Sequence, residues 1–328
     1  MTPGIPDPSP AVARLRRASR ALLTSHRNPD GDAVGSELAL AELATALGVT
    51  TVIVNRDPAP ANLDRLPGVA TVRIAETLPD DFPEGYDLVV TVECPDLDRA
   101  GFEGLDRVPI LNIDHHLANP AYGEVNYLDE EAPAVGEMVW RMFRAAGVAP
   151  SPAAATNAYV AVATDTGDFR YDNARPRAFL AAAEMVAAGA DPPTVSEWVH
   201  DGRTEASVRL LGEALKTLRF GCGGRLASLE VDRAAFVRAG ADSSDTDEII
   251  NIPRAVSGVE VVLFCKQWEP GKVKVSLRSR GAVDVRSVAA EFGGGGHTNA
   301  AGCSLESDLG EARRALEASL ARLLGCEP

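Results

Sequence analysis

The sequence predicts an α/β protein with two domains: a doubly wound, mostly parallel sheet, followed by a smaller mixed α/β domain. Three observations support this class. The chain has 328 residues, which is more than one small core accommodates. Short β-branched runs alternate with helical stretches through the first half, as in parallel sheets with helices on both faces. Beyond Arg219 the pattern changes to strand-like runs with fewer helices between them.

The first domain, residues 1–190, is predicted to contain four strands and four helices. The run "TTVIVN" is β-branched, and "YDLVVTVEC" is apolar enough to be buried on both faces. The strands are predicted at 21–26, 50–55, 86–94 and 108–116. The spacing of Leu and Ala predicts helices at 33–48, 135–146, 153–163 and 177–188. Four prolines within residues 1–10 favour a loose tail.

A helical linker, 191–222, is predicted to lead into the second domain, residues 223–328. It ends at the glycine-rich "GCGG". The strands of the second domain are predicted at 225–231, 259–267 and 272–280. Its helices are predicted at 243–256, 284–292 and 311–324. The first of these helices follows from a Ser/Asp cap signal and an apolar stripe.

The acidic composition argues against some classes of partner. The formal net charge is −15 and the pI about 4.8, so the chain lacks the basic surplus of proteins that bind long duplex nucleic acid. The five cysteines have no CxxC spacing and are expected to be free thiols in a reducing cytoplasm. No signal peptide or membrane-spanning run is apparent, so a cytoplasmic protein without a membrane partner is expected.

Polar side chains of metal-ligand type follow three of the predicted strands. His26 ends the first strand, Glu93 lies near the end of the third, and "DHH" ends the fourth. In open α/β sheets, ligands bind at the carboxyl ends of the strands. The sequence therefore predicts that these residues meet at one edge of the sheet.

Six residues combine two imidazoles with four carboxylates, a set that suits two hard divalent cations such as Mn²⁺ or Mg²⁺. They are His26, Asp30, Asp32, Glu93, His115 and Asp165. Two such ions can activate a water and hold both oxygens of a phosphoryl displacement. Each segment also has a simpler reading. Asp32 could cap a helix, the paired histidines could be buried and hydrogen-bonded, and Asp165 could end a helix.

The second domain carries residues suited to anion recognition. In "GGGGHTNAAG" the glycines Gly294, Gly295 and Gly296 allow close approach of backbone amides to an anion, with His297 as a polar tip. The alternative is a flexible glycine linker. Further candidates for phosphate contact are Arg278 and Ser279 at the end of a predicted strand, and Arg99 and Arg170, which could face the cleft or be surface charges.

Four motifs together resemble the signature motifs of the DHH phosphoesterases. They are "HRNPDGDAVGS", "NIDHH", "TDTGDFR" and "GGGGHTNAAG", and the last is similar to the motif of the associated C-terminal domain in that family. Their order and spacing fit across nearly the whole chain. The resemblance is strongest to members that combine short-oligoribonucleotide hydrolysis with pAp phosphatase activity. It implies a DHH domain, a DHH-associated domain and an active site in the cleft between them.

The resemblance also implies a ligand set. One metal would be held by His26 and Asp30, and the other by Asp32, His115 and Asp165. Either ion would most simply be Mn²⁺, with Mg²⁺ as the alternative.

Three further roles follow from the same resemblance. A carboxylate at position 93 would bridge the two metals, Asp114 would orient its neighbouring histidine, and His116 would face the phosphate. The family usually has aspartate where this chain has Glu93, and the extra methylene could loosen one metal. Asp96 is a fallback ligand. Cys94 is too soft a ligand for Mn²⁺ and is expected in the core.

The leading functional hypothesis is a manganese-dependent phosphoesterase that removes mononucleotides from short single-stranded RNA and the 3′-phosphate from pAp. A phosphodiesterase for cyclic or linear dinucleotides is the alternative within the enzymes. A nucleotide-binding regulator with impaired catalysis is the alternative of another class, and only Glu93 supports it. Inorganic pyrophosphatase fits less well, since the glycine motif and "SLRSR" indicate nucleotide recognition. Whether the chain forms a homodimer stays open.

Overall fold

The computed structural model describes most of the chain, namely residues 4–117, 119–201, 204–246 and 249–327. For His200 and His297 only the backbone is described. The chain forms two compact units, Met1–Gly202 and Arg203–Pro328. The division falls inside the predicted linker 191–222, whose helical residues are shared between the units. Within the described ranges, every helix is too short or too polar to cross a bilayer.

The first unit contains a sheet of six parallel strands. These are β1 Arg20–Thr24, β2 Thr50–Asn55, β3 Arg73–Ile74, β4 Leu88–Val92, β5 Ile110–Asp114 and β6 Val125–Leu128. Their order is β3-β2-β1-β4-β5-β6, and every neighbouring pair is parallel. The chain therefore proceeds outward in one direction from β1 and in the other from β4. A ligand crevice is expected at the carboxyl ends of these two strands.

Six helices accompany this sheet. They are α1 Ser9–Arg16, α2 Gly31–Ala46, α3 Val135–Ala146, α4 Pro152–Asp165, α5 Pro176–Ala187 and α6 Pro192–His200. All six contribute buried residues to one core, which includes Leu23 of β1. Leu22 points to the opposite face, into a core built with Phe102 and Leu105 from loops and short 3₁₀ helices. Because successive residues of these strands are buried on opposite faces of the sheet, the strand sequences are nearly continuous apolar runs.

The four strands and four helices predicted for this unit are present, with ends that coincide or differ by at most two residues. Strands β3 and β6 were not predicted, because β3 has two exposed residues and β6 carries no strong apolar run. Helix α1 was also not predicted. Its first residues, Ser9 and Pro10, belong to the expected tail, and the helix is held by burial of Val12 and Leu15.

The second unit contains a mixed sheet of six strands. They are β7 Arg219–Gly221, β8 Leu226–Val231, β9 Val261–Glu269, β10 Lys272–Ser279, β11 Gly295–His297 and β12 Ala300–Glu306. Their order is β11-β12-β10-β9-β8-β7, and only β8 and β9 pair in parallel. The helices are α7 Glu205–Lys216, α8 Arg233–Ala239, α9 Asn251–Arg254, α10 Val285–Glu291 and α11 Leu309–Leu324.

One helix predicted for the second unit is wrong. The predicted helix 243–256 is replaced by a 3₁₀ turn, Ser243–Thr246, and the single turn α9, while residues 247 and 248 lie outside the described ranges. Pro253 lacks the amide that a longer helix would need. The glycine motif forms a hairpin of β11 and β12, since its residues pair in antiparallel register, and not the flexible linker that was the alternative.

The prediction of five free cysteines is also wrong. Cys222 and Cys326 form a disulfide, with Cα atoms 5.5 Å apart, within the usual range for such bonds. The two residues are 104 positions apart, so no local spacing signals their proximity. The fold of the second unit places Cys222, directly after β7, next to Cys326, shortly after α11. Cys94, Cys265 and Cys303 are free and buried.

Candidate functional site

The site begins where α2 follows β1. Asp30 is the N-cap of α2, because its Oδ1 accepts a hydrogen bond from the Ala33 amide at 3.0 Å. Asp32 therefore does not cap its own helix. Its carboxylate, 1% exposed, instead accepts hydrogen bonds from the Val135 and Gly136 amides at 2.7 and 2.9 Å. These amides start α3, so Asp32 satisfies a helix N-terminus that has no cap of its own.

Small residues bring α2 and α4 close enough for their carboxylates to meet. A Cβ atom at Gly35 would lie 2.4 Å from the Asn157 carbonyl oxygen, and one at Gly31 would lie 2.4 Å from Thr164 Oγ1. Both glycines therefore make room for α4. Asp165 is the last residue of α4, and this packing places it opposite Asp32.

His115 is the centre of the arrangement. Its Nδ1 lies 3.0 Å from the Ala132 carbonyl oxygen, so Nδ1–H donates there and Nε2 faces the carboxylates. Nε2 lies 2.7 Å from Glu93 Oε1, 3.9 Å from Asp32 Oδ2 and 4.0 Å from Asp165 Oδ2. We call Asp32, Glu93, His115 and Asp165 the carboxylate–histidine cluster.

Crowding of buried carboxylates changes their acidity. Burial, the largest influence, raises the pKa of Asp32, and the charge of His115 only partly offsets it. Burial and the charge of Asp32 raise the pKa of Glu93 to about 8 and that of Asp165 to about 7. Burial disfavours the His115 cation, but contact with Glu93 raises its pKa to about 11. The cluster thus has more carboxylates than one imidazolium can neutralise.

This donor set fits divalent cations. Asp32, His115 and Asp165 offer ligand atoms within 4.8 Å of one another, and Glu93, His115 and His116 do the same. Glu93 Oε1 is buried without a well-aligned hydrogen bond, although His115 Nε2 is near. An orphaned carboxylate oxygen among repelling carboxylates is the condition that a bound cation relieves.

Glu93 adopts a left-handed conformation directly after β4, with φ 60°. Non-glycine residues other than Asp and Asn seldom adopt it, and the cost is of order 1 kcal/mol. This backbone turn carries the longer side chain back into the cluster, where it is 3% exposed. The fallback ligand Asp96 lies elsewhere and caps a 3₁₀ helix through the Arg99 amide at 3.0 Å. Cys94 is buried in the core as predicted.

The two adjacent histidines have different partners. Asp114 is fully buried, and its Oδ1 accepts from His116 Nδ1 at 2.9 Å and from the His115 amide at 2.9 Å. Asp114 therefore orients the ring of His116, while a backbone carbonyl orients that of His115. The rings are nearly perpendicular, at 87°, and the side chain of His116 is 38% exposed against 13% for His115.

The pKa values in this pair follow from their contacts. Burial alone would raise the pKa of Asp114, but hydrogen bonds from His116 and Asn119 lower it. Burial alone would lower the pKa of His116, but Asp114 and the charge of Glu93 raise it. These contacts favour the cation of His116, whose Nε2 is directed away from Asp114.

His26 and Asp30 lie together, apart from the two ligand groups above. His26 Nδ1 contacts the Arg27 carbonyl oxygen at 2.8 Å, and Nε2 lies 4.0 Å from Asp30 Oδ1. The charge of Asp30 nevertheless reaches the carboxylate–histidine cluster, since it raises the pKa of Asp32 and Asp165. His26 and Asp30 therefore form a pair beside the carboxylate–histidine cluster.

Two asparagines of the site were missed by the sequence analysis. Asn119 Nδ2 donates to Asp114 Oδ2 at 2.6 Å, and Asn173 Nδ2 donates to Asp165 Oδ2 at 2.9 Å. Each holds one carboxylate in place and leaves its other oxygen for a further contact. Asn119 precedes a proline and Asn173 follows an aspartate, so both are read as turn formers and the sequence contained no separate signal for them.

The predicted substrate residues have varied surroundings. Arg99 lies in the loop after β4, and its carbonyl oxygen accepts from the Arg27 amide at 2.8 Å, which ties that loop to the segment of His26. Arg170 contacts the Gly167 carbonyl oxygen and Asp168. Both arginines therefore belong to loops beside the site in the first unit.

In the second unit the expected role of Ser279 is not supported. Its hydroxyl is buried, donates to the Val283 carbonyl oxygen at 2.6 Å and accepts from Asn299 Nδ2 at 2.8 Å. It fixes the turn after β10 and presents no donor to a ligand. Arg278 is half-buried on the same strand, with one guanidinium nitrogen 3.1 Å from the Leu277 carbonyl oxygen.

The glycine motif forms the exposed edge of the second sheet. A Cβ at Gly294 would lie 2.1 Å from the Gly302 carbonyl oxygen, and one at Gly296, with φ 137°, would lie 2.5 Å from that of Ala300. The hairpin therefore requires both glycines. Gly295 is exposed, and the side chain of His297 lies outside the described residues.

Known protein families and curated proteins match most of this chain. The model of the DHH family N-terminal domain matches residues 20–164, and the model of the DHHA1 domain matches residues 231–322. The bifunctional oligoribonuclease and PAP phosphatase NrnA of Thermus thermophilus is 35% identical over 90% of this chain and 88% of its own. The protein of the same name from Bacillus subtilis is 24% identical over 87% of this chain and 89% of its own.

Solved structures agree in fold. An exopolyphosphatase-related protein from Bacteroides fragilis has a TM-score of 0.85 at 24% identity, covering 96% of this chain and 97% of its own. RecJ of Thermus thermophilus in complex with Mn²⁺ has a TM-score of 0.54 at 17% identity, covering 98% of this chain and 56% of its own. With the matched domains and the 35% identical relative, these findings show that the chain belongs to the DHH family of phosphoesterases.

Proposed function

We propose that this protein is a metal-dependent phosphoesterase that degrades short oligoribonucleotides to mononucleotides and removes the 3′-phosphate of pAp. The observation that carries the proposal is the carboxylate–histidine cluster at the carboxyl ends of β4 and β5. It occurs in a chain that is 35% identical to a named oligoribonuclease and PAP phosphatase. Both substrates are small, so an acidic protein needs only local cations to bind them.

Two divalent ions, Mn²⁺ or Mg²⁺, are the proposed cofactors. Asp32, His115 and Asp165 would hold one, His26 and Asp30 would hold the other, and Glu93 would contact both. Such ions supply a hydroxide nucleophile at neutral pH and compensate charge on the phosphoryl oxygens. Oxygen and imidazole ligands without thiolate favour these metals over structural zinc.

The chain's own residues prepare the site for these ions. The Ala132 carbonyl fixes the proton of His115 on Nδ1, which leaves Nε2 as the ligand atom. Asn173 holds one oxygen of Asp165, and the α3 amides hold both oxygens of Asp32. These hydrogen bonds order the carboxylates before any cation arrives.

His116 is the proposed donor to the phosphate. Asp114 accepts a hydrogen bond from Nδ1–H and favours the protonated ring, in which Nε2–H can donate to a phosphoryl oxygen as negative charge grows. Arg99, Arg278, His297 and the exposed glycine edge are proposed to bind the rest of the nucleotide. Short RNA is an intracellular substrate, so the proposal also places the enzyme in the cytoplasm.

The test is hydrolysis of pAp, RNA of two to five nucleotides and cyclic di-AMP, side by side, with Mn²⁺ and after chelation. The variant Asp32→Asn removes one ligand charge, and Glu103→Gln is the matched control because Glu103 is an exposed carboxylate of the same unit. Metal-dependent release of mononucleotides from RNA and of phosphate from pAp, lost in Asp32→Asn only, is the expected result.

Other outcomes separate the competing functions. Hydrolysis of cyclic di-AMP without hydrolysis of RNA would replace the proposal with a cyclic-dinucleotide phosphodiesterase. Nucleotide binding without turnover of any substrate would show a regulator instead of an enzyme.

A further inference from the structure

A buried carboxyl that the proposed mechanism does not use lies in the first unit. Glu37 is on α2, the helix that also carries Asp32, and its side chain is fully buried. Its Oε2 accepts a hydrogen bond from Asn55 Nδ2 at 2.7 Å. Its Oε1 is buried without a well-aligned hydrogen bond, and so is the hydroxyl of Ser25. No ion pair of the described residues includes Glu37.

Packing alone does not explain an acidic side chain at this position. Burial raises the pKa of Glu37 to about 8, and hydrogen bonds with the side chains of Asn55 and Ser25 only partly offset that effect. A buried polar group with incomplete hydrogen bonding destabilises the folded state, so an apolar side chain of similar volume would stabilise α2 better. The presence of a carboxyl therefore indicates a role other than filling the core.

Asn55 lies at the end of β2, where the parallel pairing of β1 with β2 stops. The last paired residues are Leu23 and Ile53. Beyond that pair, the Ser25 amide donates to Asn55 Oδ1 at 3.2 Å, so a side chain takes the place of a backbone partner. Asn55 is 1% exposed. Its amide group therefore extends the attachment of β1 to β2 past the last strand pair.

Glu37 determines which way the amide group of Asn55 points. An asparagine side chain has an oxygen that accepts and a nitrogen that donates, and its neighbours decide which end faces which partner. Glu37 Oε2 accepts from Nδ2, and this leaves Oδ1 for the Ser25 amide. We call Glu37, Asn55 and the Ser25 amide the support network. It connects α2 to the end of β1 through buried hydrogen bonds.

The support network ends directly before His26. This histidine is 8% exposed, and its Nδ1 lies 2.8 Å from the Arg27 carbonyl oxygen. Its Nε2 lies 4.0 Å from Asp30 Oδ1. Both contacts are made within the same short segment of the chain. The position of the imidazole ring therefore follows from how firmly the backbone of that segment is held.

Two further hydrogen bonds hold the backbone of this segment. The Arg27 amide donates to the Arg99 carbonyl oxygen at 2.8 Å, and the Asn28 amide donates to Asp57 Oδ2 at 2.9 Å. The bond of Asn28 is exposed, whereas that of Ser25 is buried. Because water competes less with a buried hydrogen bond, the Ser25 amide is the firmer of these two attachments.

We propose that Glu37 and Asn55 are positioning residues, which hold His26 in place for the divalent cation that it shares with Asp30. This inference rests on the proposed function and extends it to the support of one of the two metal sites. Asn55 acts through the Ser25 amide, and Glu37 acts through Asn55. Loss of the support network should therefore weaken the binding of this cation and leave the ion of the carboxylate–histidine cluster bound as before.

The test is calorimetric titration of metal-free, full-length variants with Mn²⁺. Asn55→Ala and Glu37→Leu remove the support network, and we expect the affinity for one ion to fall about tenfold in both variants. Glu37→Gln keeps an acceptor for Asn55 Nδ2 and should bind both ions as the wild type does. His26→Ala identifies which binding event belongs to the supported site.

Asn157→Ala is the matched control. Asn157 is also a buried asparagine of the first unit, 3% exposed, and its Nδ2 donates to the Pro67 carbonyl oxygen at 3.0 Å. Its loss should lower the melting temperature without changing the affinity for either ion. Unchanged Mn²⁺ affinity in Asn55→Ala would overturn the inference. An equal fall in Asn157→Ala would overturn it too, because it would indicate a general effect of lower stability.

A measurement without metal separates this inference from the proposed function. Hydrogen exchange of the Ser25 amide, followed by NMR in the metal-free protein, should be faster in Asn55→Ala and Glu37→Leu and unchanged in Glu37→Gln. If the wild type binds Mn²⁺ but exchange in Asn55→Ala is unchanged, only this inference fails. If the wild type binds no Mn²⁺, the proposed function fails. Faster exchange in Asn55→Ala then supports the support network, and unchanged exchange refutes it.

Discussion

The carboxylate–histidine cluster and the hairpin of β9 and β10 both collect charge, but they hold it in opposite ways. In the cluster, Asp32 is buried and each of its oxygens accepts a backbone hydrogen bond. On the hairpin, Lys274 is exposed and lies opposite Ser304 of β12. Fixed, desolvated ligands suit metal chemistry, whereas an exposed ammonium keeps its hydration and its mobility.

Because its ligands are fixed and buried, the carboxylate–histidine cluster should lose activity when a single side-chain atom changes. Glu93→Gln keeps the shape of the side chain and removes its charge, so we expect kcat/KM on pAp to fall about 1000-fold. Glu93→Asp keeps the charge and suits the left-handed backbone better, so its loss should stay within about tenfold. Initial rates with saturating Mn²⁺ measure both.

Glu103→Gln serves as the control for these variants because its carboxylate is exposed. Near-normal turnover in Glu93→Gln would show that position 93 does not contribute its charge to the reaction.

A second prediction concerns the free energy of unfolding of the second unit. The Cys222–Cys326 disulfide closes a segment of 104 residues within the second unit. Its removal by Cys326→Ser should destabilise that unit by about 3 kcal/mol, since the unfolded chain regains loop entropy. Thermal unfolding without reductant measures the loss, and reduced wild-type protein should reproduce it. Equal melting of oxidised and reduced wild type would contradict the prediction.

A third prediction concerns a buried carboxyl behind the cluster. Glu37 is fully buried, accepts from Asn55 Nδ2 at 2.7 Å, and burial raises its pKa to about 8. The folded state then retains a proton that the unfolded chain loses near pH 4.5, so this group reduces stability as pH rises. The expected loss between about pH 5 and 8 is of order 4 kcal/mol.

Glu37→Gln should remove this part of the pH dependence. Denaturant midpoints of metal-free wild type and variant at several pH values provide the measurement. Parallel pH profiles for the two proteins would show that Glu37 is ionised in the folded state.

The smallest expected effect comes from two helical glycines. Gly35→Ala should destabilise the first unit by about 2 kcal/mol, since its Cβ would collide with the Asn157 carbonyl of α4. Gly212→Ala on α7 meets nothing within 4 Å and should stabilise the second unit by about 0.5 kcal/mol. Opposite signs in thermal melting would confirm that α2 needs close packing at this position and α7 does not, and equal signs would contradict it.

The fold was predictable where periodicity is strong. Strands β2 and β4 follow from their β-branched content. Helix α3 follows from the helical spacing of its apolar residues. Short elements such as β3, and the interrupted segment around α9, depend on partners distant in sequence. Pairing, and not propensity, decides such segments.

The site was predictable in residue type but not in its supports. Strand ends and motif spacing identified His115 and Asp165, because chemistry restricts which side chains can bind hard cations. Asn119 and Asn173, which hold the carboxylates, have no such restriction, and the Cys222–Cys326 contact has no local signal. Ser279 looked like a phosphate ligand because sequence does not show that its hydroxyl is buried.

The most direct test of the proposed metal centre is calorimetric titration of the metal-free, full-length protein with Mn²⁺. We expect two bound ions per chain, weaker binding of at least one of them in His115→Ala, and unchanged binding in Glu103→Gln. If wild type binds no Mn²⁺, or if His115→Ala binds it as wild type does, the carboxylate–histidine cluster is not a metal centre.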